Sequence, residues 1–303
     1  METSHEVKDY AMQSKSVNLN PFIRWLRLLL KSKTGTFGFI IVILVILLAI
    51  FAPQIAPYDP NAQDYAKLNT PPMWLDGGSS EHVLGTDNLG RDMLSRIIYG
   101  TRISLLVGVF SVVVAGAIGM LFGLLAGYYG GFIDNVLMRL VDTFLAIPSI
   151  LFVLVILGVI GPGVTTLIVV IGITNWTIYA RLIRGEVLSI KEREFVKAAR
   201  TIGTSNFVII SKHILPNVFS SFIVVSTLSV ATTIILEASL SFLGLGIQPP
   251  NISWGEMLTA GRDYLSTSWW IATFPGIAIT ITVLGIIFLG DWLRDVLDPR
   301  TQV

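Results

Sequence analysis

Residues 194–216 read EFVKAARTIGTSNFVIISKHILP, a charged stretch between two long apolar runs, and they decide how the rest of the chain is read. Ala198 and Ala199 give a small-faced helix, Gly203 permits a sharp break, and Leu215-Pro216 closes the unit just before the next apolar run. Two short helices are expected, near 190–201 and 204–213, joined at Gly203. A polar helical hairpin wedged between membrane spans is built to touch something outside the bilayer, as a docking knob. The plainer alternative is an ordinary loop with helical ends.

The composition places that hairpin on a membrane protein. Of 303 residues, 53% are hydrophobic and 14% charged, and the mean hydropathy is +0.73. So few charges cannot cover a soluble globule of this size. A net charge of +1 argues against nucleic acid as a partner, and the lack of cysteine excludes disulfides, thiolate metal sites and cysteine nucleophiles. His5, His82 and His213 are scattered over separate regions, so no histidine pair forms a metal site. The sequence contains no Gly-x-x-x-x-Gly-Lys-Ser/Thr loop, so ATP is not hydrolysed by that route. We expect no catalytic residue, metal or cofactor, and energy supplied by a partner.

A helix needs about 20 apolar residues to cross the hydrocarbon layer, and six runs qualify, near 34–52, 103–127, 141–161, 164–184, 218–243 and 269–290. The third and fourth are separated only by Gly161-Pro162-Gly163, read as a tight turn. A single kinked helix over 141–184 would run about 65 Å, too long for one crossing. No small-residue cleavage site follows the first run closely, so that span is expected to be retained.

Lys and Arg set the orientation. Lys8, Lys15, Arg24, Arg27, Lys31 and Lys33 precede the first span, and Arg181, Arg184, Lys191, Arg193, Lys197, Arg200 and Lys212 surround the hairpin. Both regions are expected to be cytoplasmic, and an even span count brings Arg294 and Arg300 to the same side. The expected organisation is a cytoplasmic tail at 1–33, a first span at 34–52 and an extracytoplasmic segment at 53–102. A five-helix core follows at 103–290 with its cytoplasmic loop at 185–216, then a cytoplasmic tail at 291–303.

In the first outer segment, Pro53, Pro57, Pro60, Pro71 and Pro72 keep the early part extended. Gly85-Thr86-Asp87 and Gly90-Arg91-Asp92 are turn chemistry followed by helix-start chemistry. Leu94, Ile97 and Ile98 then recur at helical spacing among Arg91, Asp92, Ser95 and Arg96, an amphipathic pattern suited to lying along the membrane or against a partner.

Taken with its spacing, the 194–216 hairpin resembles the cytoplasmic coupling loop of ABC importer permeases, with Ala198-Ala199, Gly203 and Leu215-Pro216 in register. Lys197 and His213 depart from the pattern, standing where it has Glu and Ile. The segment GTDNLGRD from Gly85, and SFLGLGIQPPNISWGEML from Ser241 to Leu258, are similar to the branch of these permeases that handles dipeptides, oligopeptides, glutathione and nickel. The resemblance runs from about residue 20 to the C-terminus. It implies an all-α membrane protein with six transmembrane helices, a type I ABC importer permease architecture with cytoplasmic coupling helices, matching a C-type oligopeptide permease subunit. It further implies a homologous second permease, two ATP-binding subunits and an extracytoplasmic peptide-binding protein as partners. Nickel or a nickel chelate is the alternative cargo. An ion-coupled secondary transporter is the alternative class, which would show inverted repeats around midplane carboxylates.

Three features inside the spans remain open. Glu237 is costly in a bilayer unless it faces protein or water, so it either lines the pathway or makes a structural hydrogen bond between helices. Asp134, Arg139 and Asp142 sit at the entrance to the third span, and the spacing of Arg139 and Asp142 lets them pair on one helix face, as a structural contact or as a bias toward a closed conformation. Gly116, Gly119, Gly123 and Gly127 form a flat stripe for close helix packing, which fits a bundle whose mate is a second permease.

Overall fold

The computed structural model describes residues 21–297, and among them the ordered elements are helices. Expectations about Lys8, Lys15, His5, Arg300 and the extreme tails fall outside the described residues. Helix α1, Pro21–Lys31, stops at Ser32, whose hydroxyl accepts the Gly35 amide at 3.1 Å and so caps α2, Lys33–Ile50. The remaining long elements are α3 (Met93–Tyr129), α4 (Gly131–Leu145), α5 (Ser149–Ile160) and α6 (Val164–Lys191). They continue with α7 (Glu194–Thr201), α8 (Leu215–Phe242), α9 (Trp254–Gly261) and α10 (Trp270–Leu297).

Five helical stretches are long and apolar enough to cross a membrane, those of α2, α3, α6, α8 and α10. A sixth crossing exists only if α4 and α5 together count as one, and these meet at 81°. The run expected as a single span at 141–161 is therefore broken. Pro148 is the cause: it has no amide hydrogen to donate, its ring disfavours helical geometry at Ile147, and α5 starts just beyond it. The Gly161-Pro162-Gly163 turn does separate α5 from α6, with Gly161 at φ +97° ending the first.

Glycines set the helix spacing. Gly119, Gly123 and Gly127 of α3 lie directly against Tyr179, Ile183 and Val187 of α6, where any Cβ would collide, and Gly116 faces the Phe222 ring of α8. The stripe read as suited to a second permease is thus occupied by the chain's own helices. Flat glycine surfaces let backbones approach closely, and dispersion contacts hold helices together where lipid is as apolar as the side chains. Gly38 and Gly285 join α2 to α10 in the same manner.

Residues 53–102 and 244–268 cluster at one end of the bundle. The Trp270 indole donates to the Thr86 carbonyl at 3.0 Å, and the Trp254 indole donates to the Ile97 carbonyl at 3.0 Å. At the opposite end, Trp25 of α1 packs edge-on to Trp292 of α10 at 6.1 Å, and the hairpin packs on the last turn of α3. The amphipathic run from Arg91 is not a separate surface helix. It forms the first turns of α3, capped by the Asp92 carboxylate, which accepts the Ser95 amide at 2.8 Å. Its polar face is buried because those charges find partners at this end of the bundle.

Candidate functional site: an exposed hairpin, a buried ion network and a polar cavity

The hairpin is built around a glycine turn. Helix α7 ends as Gly203 takes φ +80°, with the Gly203 amide donating to the Arg200 carbonyl and the Thr204 amide to the Ala199 carbonyl, both at 3.1 Å. This pairing needs left-handed backbone and satisfies carbonyls that a helix end leaves bare. No atom lies within 4 Å of where a Gly203 Cβ would sit. The second arm begins with Asn206–Val208, passes through a π-helical stretch at Ile209–Ile214, and runs on into α8 at Leu215-Pro216. Proline fits there because the first turn of a helix leaves its amide hydrogens unbonded anyway.

Val196, Ala199, Ile209, Ile214 and Val218 turn inward onto Tyr128, Ile183, Val187 and Ile190. The Tyr128 hydroxyl donates to Asn206 at 2.6 Å, and Arg200 stacks on the Tyr128 ring at 5.6 Å. The hairpin is thereby clamped to the ends of α3 and α6. Ala198 faces outward, and the apolar tip side chains Ile202 and Phe207 are 82% and 79% exposed. Of the five sequence-identified residues, Ala199 is buried, Leu215 is half-buried, and Ala198, Gly203 and Pro216 are exposed.

Behind the hairpin, α4 is tied to α6 by charge. Arg184 donates through two nitrogens to Asp134, the second at 2.6 Å, and Arg181 reaches Asp142 at 2.7 Å. The expected Arg139–Asp142 pair does not form. Helix α6 lies alongside α4 and brings a longer reach from outside the local helix, so Asp142 is taken by Arg181.

At the opposite end lies a network of buried charge. Arg96, 1% exposed, donates to Glu256 at 2.8 Å and lies 3.5 Å from Asp87, which also binds Arg91 at 2.7 Å. His82 Nδ1 is 3.0 Å from Asp92. Burial pushes the Glu256 carboxyl above its ordinary value, and the neighbouring Arg96 and Arg91 oppose that shift. Glu237 is fully buried beside this network; its Oε1 accepts hydroxyls from Ser241 and Ser253, both at 2.8 Å. Ser253 also caps α9 by accepting the Glu256 amide. Glu237 therefore holds the loop after α8 and the start of α9.

Between the two ends, about midway along α3, α6 and α8, lies a cavity of 190 Å³. Ser111, Asn175, Tyr179, Ser229, Thr232 and Thr233 line it. The sequence reading passed over these positions because isolated hydroxyls in an apolar run barely alter its hydropathy. The available signal was the recurrence of polar side chains along three otherwise apolar spans.

Comparison with known proteins accords with this architecture. Residues 119–303 match the family described as the binding-protein-dependent transport system inner membrane component. Residues 20–72 match the N-terminal TM domain of oligopeptide transport permease C. The chain is 43% identical over 265 residues to the di/tripeptide transport system permease protein DppC of Pseudomonas aeruginosa, covering 88% of each chain. It is 43% identical to the dipeptide transport system permease protein DppC of Alkalihalophilus pseudofirmus, covering 94% of this chain and 91% of that one. It is 46% identical to the glutathione transport system permease protein GsiD of Escherichia coli, covering 86% and 84%. An inward-facing structure of the MetNI methionine ABC transporter contains a chain that superposes with a TM-score of 0.56 at 19% identity, covering 68% of this chain and 98% of that one. The likeness concerns the fold. With its spanning helices, its match over most of the chain and its close relatives, the protein belongs to the binding-protein-dependent inner membrane components and is a multi-pass permease subunit of an ABC importer.

Proposed function

We propose that this permease passes short peptides inward across the cell membrane, driven by ATP hydrolysis on partner subunits. The observation that carries this reading is the pairing of an exposed, apolar-tipped hairpin at one end with a hydroxyl-lined cavity between the spans. Relatives whose names specify di- and tripeptides, dipeptides or glutathione support the substrate class. The hairpin end, with α1 and the end of α10, faces the cytoplasm in this reading, supported by the basic residues gathered there. Residues 53–102 and 244–268 face outward, where a peptide-binding protein docks.

One of the two ATP-binding subunits receives the hairpin, with Ile202 and Phe207 entering an apolar groove. Ala198, Ala199, Gly203, Leu215 and Pro216 shape the knob. Because Tyr128 and Arg200 clamp it to α3 and its apolar face packs on α6, movement of the knob is passed to the spans. A homologous second permease supplies the other wall of the pathway. Glu237 acts as the anchor of the outer loop. Its Oε1 is engaged by two serines, an arrangement that supports a structural role over contact with substrate.

The test is uptake of labelled di-, tri- and pentapeptides and of nickel in cells lacking only this chain, and in the same cells with it restored. Loss of peptide uptake with nickel unaffected is the expected result. Loss of nickel uptake alone would keep the transport machine and overturn the substrate.

A further inference from the structure

We propose that the mid-membrane cavity recognises the uncharged amide groups of the substrate backbone and is indifferent to side-chain charge. The inference deepens the peptide reading above and rests on it. Each of the six side chains named in the cavity wall is neutral, and each carries a hydrogen-bonding group. Hydroxyls and the Asn175 carboxamide both donate and accept, as does a peptide bond, so either end of an amide finds a partner. An ionised carboxylate or ammonium would meet no opposite charge here. The nearby titratable groups are engaged elsewhere: Glu237 through Oε1 with its serines, Arg181 and Arg184 with the acids of α4.

The wall is also left incomplete. The Ser111 hydroxyl, on a side chain about 1% exposed, makes no hydrogen bond in the structure, and the Tyr179 hydroxyl, equally buried, has only the Ser226 and Ser229 hydroxyls beside it, with no well-formed bond to either. Buried polar atoms are nearly always paired. Unpaired hydroxyls facing a polar cavity are poised for a visitor that supplies the missing partner. At 190 Å³ the space falls below the roughly 300–1,000 Å³ of complete small-molecule sites. It fits one or two peptide units, with the second permease closing the opposite side.

The experiment uses the complete complex, this chain with its partner permease, ATPases and binding protein, in proteoliposomes. ATP-driven uptake is measured for trialanine, for its analogue methylated on the central amide nitrogen, and for Ala-Lys-Ala and Ala-Asp-Ala. Tyr179→Phe and Asn175→Leu should each slow trialanine uptake about five- to tenfold, the size of one lost hydrogen bond. The Lys and Asp peptides should slow by the same factor, and the wild-type preference for the unmethylated backbone should shrink. Thr232→Asp should make uptake charge-selective, favouring the Lys peptide over the Asp peptide.

Tyr179→Phe keeps the ring that packs on Phe222 at 5.6 Å and removes only the hydroxyl, so it decides the matter even if Asn175→Leu fails to assemble. Unchanged rate and unchanged methylation preference in Tyr179→Phe would overturn the cavity assignment while leaving the transport reading intact. Absence of any peptide uptake by the wild-type complex would overturn both.

Discussion

Arg96 and Glu256, 160 residues apart in sequence, meet at 2.8 Å in the interior of the bundle end. The pair staples the start of α3 to α9 and so joins the two segments assigned to the outer face. Its geometry is reinforced by Asp87 and by the Pro60 carbonyl, which accepts from Arg96 at 3.3 Å. Removing one member of a buried pair leaves the other charge uncompensated, which costs about 3–5 kcal/mol. Arg96→Ala should therefore lower the thermal stability of the purified complex sharply. Arg96→Met combined with Glu256→Leu should recover a large part of that loss. Equal instability of the single and double variants would show that the network is held by other contacts.

For Glu237, the amide variant separates anchoring from substrate contact. Glu237→Gln keeps an oxygen for Ser241 and Ser253 and places an amino group where the second carboxylate oxygen has no partner. Stability and peptide range should both be close to wild type. Glu237→Ala should cost about 1–3 kcal/mol by leaving two serine hydroxyls unpaired, measured by thermal unfolding. A change of substrate range in Glu237→Gln would return the residue to the pathway.

Asp134 and Arg184 hold α4 against α6 through two parallel hydrogen bonds. Both groups are partly open to solvent, so the pair contributes no more than about 1 kcal/mol to stability. Asp134→Asn should leave insertion and folding unchanged yet slow ATP-driven uptake, because the pair ties α4 to α6, and Ser149, at the start of the α5 that follows α4, reaches the cavity wall. The charge-reversed pair, Asp134→Arg with Arg184→Asp, should restore transport. Failure of the reversal with normal assembly would argue against the pairing as the active element.

Gly203 separates stability from coupling. Its left-handed backbone carries a penalty of about 1 kcal/mol for any other residue, but the space around it is open. Gly203→Asp should insert and fold nearly normally while transport stops, because the added side chain collides only once the ATPase is docked. The measurement pairs uptake with co-purification of the ATPase. Normal uptake with the ATPase bound would sink the coupling role assigned to this turn.

Hydropathy made the spanning helices legible, and the spacing of Ala198, Gly203 and Pro216 revealed the hairpin, because both depend on residues close together in the chain. Asp92 as a helix start was legible for the same reason: a capping carboxylate acts on an amide three residues away. The break at Pro148 was missed, because an apolar run of the right length reads as one span, and hydropathy carries no record of the 81° bend inside it.

By itself, then, the sequence determined that this chain crosses a membrane several times and carries a polar hairpin between two spans. Those properties follow from the free energy of placing each short stretch in lipid or water. Only the tertiary structure decided that Asp142 pairs with Arg181, that the glycine stripe receives α6, and that Arg96 finds Glu256. It also gathered isolated hydroxyls of three spans into one cavity. The physical reason is that burial compels every charge and hydroxyl to seek a partner, but local sequence does not say which distant group will be within reach.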